Sequence, residues 1–154
     1  MTSVHSSTFL PSDLLTQSVE QTSATVIVNA DLHTKGGSHW LGVQFRPKSS
    51  SALYFDSHGI VPLIPSIQEF IKRKCMTSEY NRRHLQGLTT DVCGKYCCLY
   101  THYIDRGYKT KQFISLFDAC KNADRQVERL FTDEFKAQMS RGGCVNAATA
   151  AYKS

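Results

Sequence analysis

The 154-residue chain is long enough for one domain with a sizeable core, and its 41% hydrophobic, 20% charged composition is that of an ordinary globular protein. No apolar run approaches the ~20 residues that span a bilayer, and the start "MTSVHSSTFLPSDLL" lacks the basic-then-apolar pattern of a secretion signal. With 18 basic against 13 acidic residues the net charge is +5, which favours polyanionic partners, because lysine and arginine contacts to phosphate add up without regard to sequence.

In chain order, "SATVIVNAD" carries a β-branched run, Val26 to Val28, and predicts a buried strand. "HWLGVQF" and "ALYFDS" flank the Pro/Ser-rich "RPKSSS" and predict a β-hairpin. "PSIQEFIKRKC" predicts a helix, with Ser66 as its cap, Glu69 at capping-box spacing, and Ile67, Phe70 and Ile71 on one face. After Cys93, the stretch from Gly94 to Arg106 predicts a mostly buried helix, ended by Gly107. "TKQFISLFDAC" and "ADRQVERLFTDEFKAQM" each place apolar residues at helical spacing. The tail 141–154 has little to bury and is expected to be loose. Strands followed by helices predict an α+β fold: one domain over 1–154, with a small, mostly antiparallel sheet packed with helices.

Four positions on this scaffold carry the chemistry. His39 opens the first hairpin strand and Asp56 closes the second, and the midpoint between them falls in the proposed turn. Residues equidistant from a hairpin turn face each other, so His39 and Asp56 are expected to be cross-strand neighbours. A carboxylate there would fix the imidazole tautomer and stabilise its protonated form. Cys93 stands at a helix N-terminus, where unpaired N–H groups and the helix dipole favour a thiolate. Gly94 leaves room for a substrate carbonyl to approach the backbone. Gln86, seven residues before Cys93, carries an amide that could hold an oxyanion together with the Cys93 N–H. Each residue alone has an ordinary structural reading: a strand-end histidine, a turn aspartate, a loop glutamine, a buried thiol. Together they supply base, orienter, oxyanion donor and nucleophile, in that chain order.

"GGSHW", "YFDS" and "LQGLTTDVCGKYCCLY" resemble the adenovirus proteinase (adenain) family and its relatives in virus-like mobile elements. These lie within the wider group of ubiquitin-like-protein-specific cysteine proteases. The family pattern is His-Trp, an acid seventeen residues on, and a glutamine seven residues before a Cys-Gly. Here the intervals are His39 to Asp56 and Gln86 to Cys93. The resemblance extends over residues 24–139. It departs in its acid, Asp56, where adenoviral enzymes carry Glu and the wider group uses Asp, and in a shorter segment before His39.

The resemblance implies a papain-like active site in permuted chain order: a cysteine endopeptidase that cleaves precursor proteins during maturation of a virus or virus-like particle. The alternative is a deconjugase that removes a ubiquitin-like modifier. It implies no metal or organic cofactor, and activation by a peptide and by non-sequence-specific duplex DNA. It further implies a monomer without membrane association, at work inside the cell, in the host nucleus or the virion. Trp40 is expected to pack beside the cleft, where its indole would shield His39 and Cys93; plain core burial is its ordinary reading, and both can hold together. Cys75 lies eighteen residues before Cys93, where adenoviral enzymes bind a peptide cofactor through a disulfide. Lys72, Arg73 and Lys74 would lower its thiol pKa and make it exchangeable. Packing at a helix end is the plainer role for Cys75, and Cys144 is a second candidate partner. Zinc at Cys93, Cys97, Cys98 and His102 is disfavoured, since these residues crowd one helix instead of forming two separated pairs.

Overall fold

A computed structural model of the chain describes residues 8–12, 24–31 and 39–140; the tail 141–154, with Cys144, lies outside the described residues. Five strands, β1 (Thr8–Pro11), β2 (Ala24–Asn29), β3 (Trp40–Arg46), β4 (Ser51–Phe55) and β5 (Thr77–Tyr80), form one sheet in sequential order. Helix α1 (Pro65–Lys74) connects β4 to β5. Three more follow the sheet: α2 (Cys93–Asp105), α3 (Thr110–Ser115) and α4 (Ala123–Ser140).

The alternation of side chains along β2 to β4 explains the layering. Val26, Val28, Leu41, Val43, Phe45, Ala52 and Tyr54 point to one face and pack on Ile67, Phe70 and Ile71 of α1. Ile27, Leu53 and Phe55 point to the other and pack on Tyr96, Cys97, Leu99 and Tyr100 of α2, with Phe113 and Val127 behind. Both sheet faces are covered, which is why Val26 to Val28 is a continuous apolar run and not an alternating one.

The fold is α+β, and the sheet is mixed, not mostly antiparallel. β2–β3 and β3–β4 are antiparallel, whereas β1–β2 and β4–β5 are parallel. The sequence conceals the outer strands. β5, "TSEY", is mostly exposed and has no apolar face to announce it. A parallel β4–β5 pair needs a long crossover, which α1 supplies. The expected Ser66 cap is also absent. Pro65 occupies the first turn of α1, Ile64 is the N-cap, and no side chain caps the helix. Glu69 pairs with Arg73 one turn on.

Two glycines bring the site elements together. A Cβ on Gly42 of β3 would stand 3.3 Å from the Tyr100 ring. Its absence lets α2 approach the sheet, with Tyr100 stacked on Phe55 at 4.4 Å. Gly59 adopts φ +68°, and a Cβ there would lie 2.6 Å from the carbonyl carbon of Arg83. Gly59→Ala is therefore expected to destabilise the protein by more than the ~1–3 kcal/mol of a left-handed non-glycine residue, since backbone must also shift. A urea midpoint that is unchanged in Gly59→Ala would contradict this close contact.

Candidate active site

The β3–β4 register sets the geometry. Val43 pairs with Tyr54 and Gly42 with Phe55. Extended by one residue, this register places Leu41 opposite Asp56, so the expected facing of His39 and Asp56 is off by two residues. The cause is the turn. It is a 3-10 turn over Pro47–Ser49, closed by Ser50 at φ 45°, and it is centred one residue later than symmetry about residues 39 and 56 assumed. An offset of two preserves side-chain parity, and diagonal neighbours remain within reach of a long side chain. The His39 Nε2 and Asp56 Oδ1 lie 2.9 Å apart just beyond the paired residues.

Asp56 is held firmly. Its Oδ1 also accepts the backbone N–H of His58 at 2.8 Å. The buried Asn81 brackets its backbone, accepting the Asp56 N–H at 2.8 Å and donating to the Asp56 carbonyl at 2.5 Å. With Nε2 of His39 engaged by the acid, Nδ1 is the ring nitrogen left to serve the Cys93 thiol, whose interaction with the imidazole raises the His39 pKa and lowers its own. The His58 ring stacks on His39 at 4.9 Å and an interplanar angle of 29°. Partial burial and the charge of His39 lower the His58 pKa.

Cys93 is the first residue of α2 and 5% exposed. Burial works against its thiolate. The hydrogen bond to His39, the backbone N–H groups of Trp40 and Gly94, and the imidazolium charge outweigh burial and bring the thiol below its ordinary value. For His39, burial favours the neutral ring, but the hydrogen bonds and charges of Asp56 and Cys93 raise its pKa to about 9. The pair therefore favours thiolate and imidazolium together.

The other thiols of α2 serve as internal controls. Cys97, one turn further along, is buried, donates its S–H to the Trp40 carbonyl at 3.2 Å, and is pushed well above the ordinary thiol value by burial. Cys98 is pushed up to about 12 by burial alone. Only the thiol that meets His39 is activated. Among the described residues, no three His, Cys, Asp or Glu side chains converge to hold a metal ion.

Trp40 packs against the α2 side of the core, with its indole 3.7 Å from where a Gly94 Cβ would stand. That is ordinary contact, so no contact among the described residues requires glycine at 94. Gln86 is buried on the loop that leads into α2. Its Oε1 accepts from the Ser57 hydroxyl at 2.6 Å, and its Nε2 donates to the Thr90 carbonyl at 2.6 Å. Cys75 caps the C-terminus of α1, away from this cluster, half-buried beside an open groove of ≈ 380 Å³ that Lys72, Met76 and Thr77 also line. Burial raises its thiol pKa, contrary to the lowering expected from the adjacent cations. Those side chains are on a solvated helix end and do not offset desolvation.

Sequence reasoning missed Ser57, His58, Asn81 and Asp124. Ser57 and His58 immediately follow the acid, so adjacency to Asp56 was the available signal. Asn81 and Asp124 reach the site from distant segments and leave no local pattern.

No protein-family model matches the chain. It is 28% identical over 92 residues to a protease of human adenovirus B serotype 3, covering 51% of this chain and 44% of that one. A protease of human adenovirus A serotype 12 is 30% identical over 90 residues, covering 49% and 44%. The chain is related to the adenovirus proteases. It spans about half the length of these curated relatives. Its fold matches the ASFV pS273R protease with a TM-score of 0.56 over 83% of this chain and 58% of that one, at 17% identity. A second crystal structure of that protease gives 0.53 over 71% and 43%, at 20% identity. The sequence relatives carry the similarity to the adenovirus proteases, and the solved structures carry the fold alone.

Proposed function

We propose that this chain is a cysteine peptidase in which Cys93 is the nucleophile, His39 the acid–base group, Asp56 its orienter and Gln86 an oxyanion donor. The observation that carries this reading is the 2.9 Å Asp56–His39 hydrogen bond together with Cys93 at the head of α2, with the thiol lowered and the imidazole raised by their interaction. The Cys93 thiolate attacks the scissile carbonyl carbon, and the carbonyl π electrons move to oxygen. The Gln86 amide and the Cys93 N–H hold that oxyanion. Its collapse re-forms the C=O bond and expels the amine, which takes its proton from His39, leaving a thioester. Water then attacks the thioester as His39 accepts a proton from it. The carboxylic acid leaves and the thiolate–imidazolium pair is restored.

This chemistry serves peptide and isopeptide bonds equally, and two substrate readings follow. The seven-residue interval from Gln86 to Cys93 favours an endopeptidase of precursor proteins, as in particle maturation inside the cell, in nucleus or virion. The aspartate at position 56 favours the deconjugating group. The deciding experiment uses two fluorogenic reporters, a ubiquitin-like modifier–coumarin fusion and a short viral-type peptide with small residues at the cut. Cleavage of the fusion alone selects the deconjugase and cleavage of the peptide alone the endopeptidase. Inertness toward both would refute a peptidase.

The same assay tests the activators. A peptide disulfide-linked at Cys75 would lie beside the groove next to β5, the last strand of the sheet. Duplex DNA would be drawn by the net charge of +5. Rates unchanged by a precursor-derived cysteine peptide, or by DNA at low salt, would remove that activator. No described helix is long and apolar enough to cross a membrane.

A further inference from the structure

A glutamine can stabilise an oxyanion in only one of its two amide orientations. The NH₂ must face the developing charge; flipped, Oε1 would repel it. We propose that Ser57 and Asp124 are positioning residues that lock the Gln86 amide with one N–H free for the oxyanion, an inference that rests on the oxyanion role assigned to Gln86 above.

Ser57 acts on the oxygen. Oε1 can only accept, so the Ser57 hydroxyl, 2.6 Å away, must donate. Ser57 is fully buried, so water does not compete for this bond. Its carbonyl also accepts the backbone N–H groups of Leu85 and Gln86, at 2.9 and 3.0 Å. One residue thus fixes both the backbone and the side chain of the glutamine. Ser57 directly follows Asp56, so the chain that orients His39 also orients Gln86.

Asp124 acts on the nitrogen, through the loop. Nε2 donates one proton to the Thr90 carbonyl at 2.6 Å, and among the described residues no second acceptor lies on it. Thr90 must therefore stay in place. Asp124 Oδ2 accepts the Gly87 N–H at 3.0 Å and lies 2.8 Å from the Thr90 hydroxyl, so it ties both ends of the 87–90 turn. Its Oδ1 accepts the Tyr96 hydroxyl of α2 at 2.9 Å. A single carboxylate from α4 thereby ties the glutamine loop to the helix that carries Cys93. In a flipped amide, Oε1 would face the Thr90 carbonyl, which can only accept, so Thr90 opposes the flip, while the Ser57 hydroxyl holds the amide in place.

The test is a double-mutant cycle on whichever reporter the wild type cleaves, together with the rate of Cys93 alkylation by chloroacetamide across pH. Gln86→Ala is expected to lower kcat by about 10²–10³-fold, the cost of losing one oxyanion donor. Ser57→Ala and Asp124→Ala should each lower kcat about tenfold or more with KM nearly unchanged, and Asp124→Asn, which keeps an acceptor oxygen, should lose less. In the Gln86→Ala background, Ser57→Ala should cause no further loss. The alkylation profile should stay that of wild type throughout, because the thiolate–imidazolium pair is untouched. Losses that multiply in the double variant, or an alkylation profile displaced in Ser57→Ala, would overturn the proposal and make Ser57 a support of the fold or of Asp56. A full effect of Gln86→Ala with none from Ser57→Ala or Asp124→Ala overturns the positioning role while the oxyanion role stands. No effect of Gln86→Ala overturns both. Should Ser57→Ala fail to fold, Asp124→Ala, which touches neither Ser57 nor the glutamine side chain, carries the same cycle.

Discussion

Cys93→Ala is expected to reduce turnover to background, a loss on the order of 10⁴-fold or more, and to abolish alkylation by iodoacetamide at low pH. The reason is that neither the other thiols of its helix nor Cys75 can take its place. Cys97 and Cys98 share its helix, yet burial holds both thiols protonated. Cys75 is half-buried with a raised pKa and lies beside the groove at the end of α1. Folding should be preserved, since removing the sulfur of Cys93 takes away an ion pair and no core ring. Mass mapping after iodoacetamide treatment at mildly acidic pH should locate the label on Cys93 in the wild type and nowhere among Cys75, Cys97 and Cys98 in the variant. Near-wild-type turnover in Cys93→Ala would defeat the nucleophile assignment.

Asp56→Asn is expected to cost less, roughly 10²–10⁴-fold in kcat, because the acid orients and does not react. Its signature is the pH profile. His39 has its pKa raised from 6.5 to about 9, against the effect of burial, by the hydrogen bonds and charges of Asp56 and Cys93, the Asp56 hydrogen bond first among them. Activity needs the imidazolium–thiolate pair, which exists above the lowered Cys93 pKa and below that of His39. The alkaline limb of the wild type should therefore fall near pH 9, and in Asp56→Asn it should move down toward 6.5. The two limbs belong to the coupled pair and not to either residue alone. Stability follows the same sign. A folded-state pKa above the unfolded value contributes stability that is fully present below pH 6.5 and lost as pH rises through about 9. The wild type should thus lose more stability than Asp56→Asn between pH 6.5 and 9, measured by denaturant midpoints. An alkaline limb that stays at the wild-type pH in Asp56→Asn would show that the acid does not charge His39.

The central architecture was legible because it rests on local patterns. β2, β3 and β4 carry unbroken or alternating apolar residues, and α1, α2 and α4 carry apolar residues at helical spacing. The contact of His39 with Asp56 and the place of Cys93 at the head of α2 were legible because these residue types occur at separations that this hairpin and this loop–helix junction bring together. The outer strands were not legible, since β5 is mostly exposed and its pairing with β4 is decided by the α1 crossover. The first turn of α1 was misread because Pro65, preset for a helical φ, starts the helix one residue before the serine that would have capped it.

What the sequence alone determined is the inventory: a histidine, an acid, a glutamine and a helix-opening cysteine, at intervals shared with a family of viral cysteine proteases. Only the tertiary structure decided the facts that turn the inventory into a site. The two-residue offset in the hairpin register depends on how the turn at 47–50 closes, and it leaves the His39–Asp56 contact intact through side-chain parity. The choice of one thiolate among three thiols on α2 depends on which of them meets an imidazolium and which are only desolvated. The pinning of Gln86 by Ser57 and by the loop that Asp124 ties depends on contacts across 29 and 34 to 37 residues. Such contacts leave no periodic trace in the chain, because they are made by single polar side chains whose partners are fixed only when the layers pack.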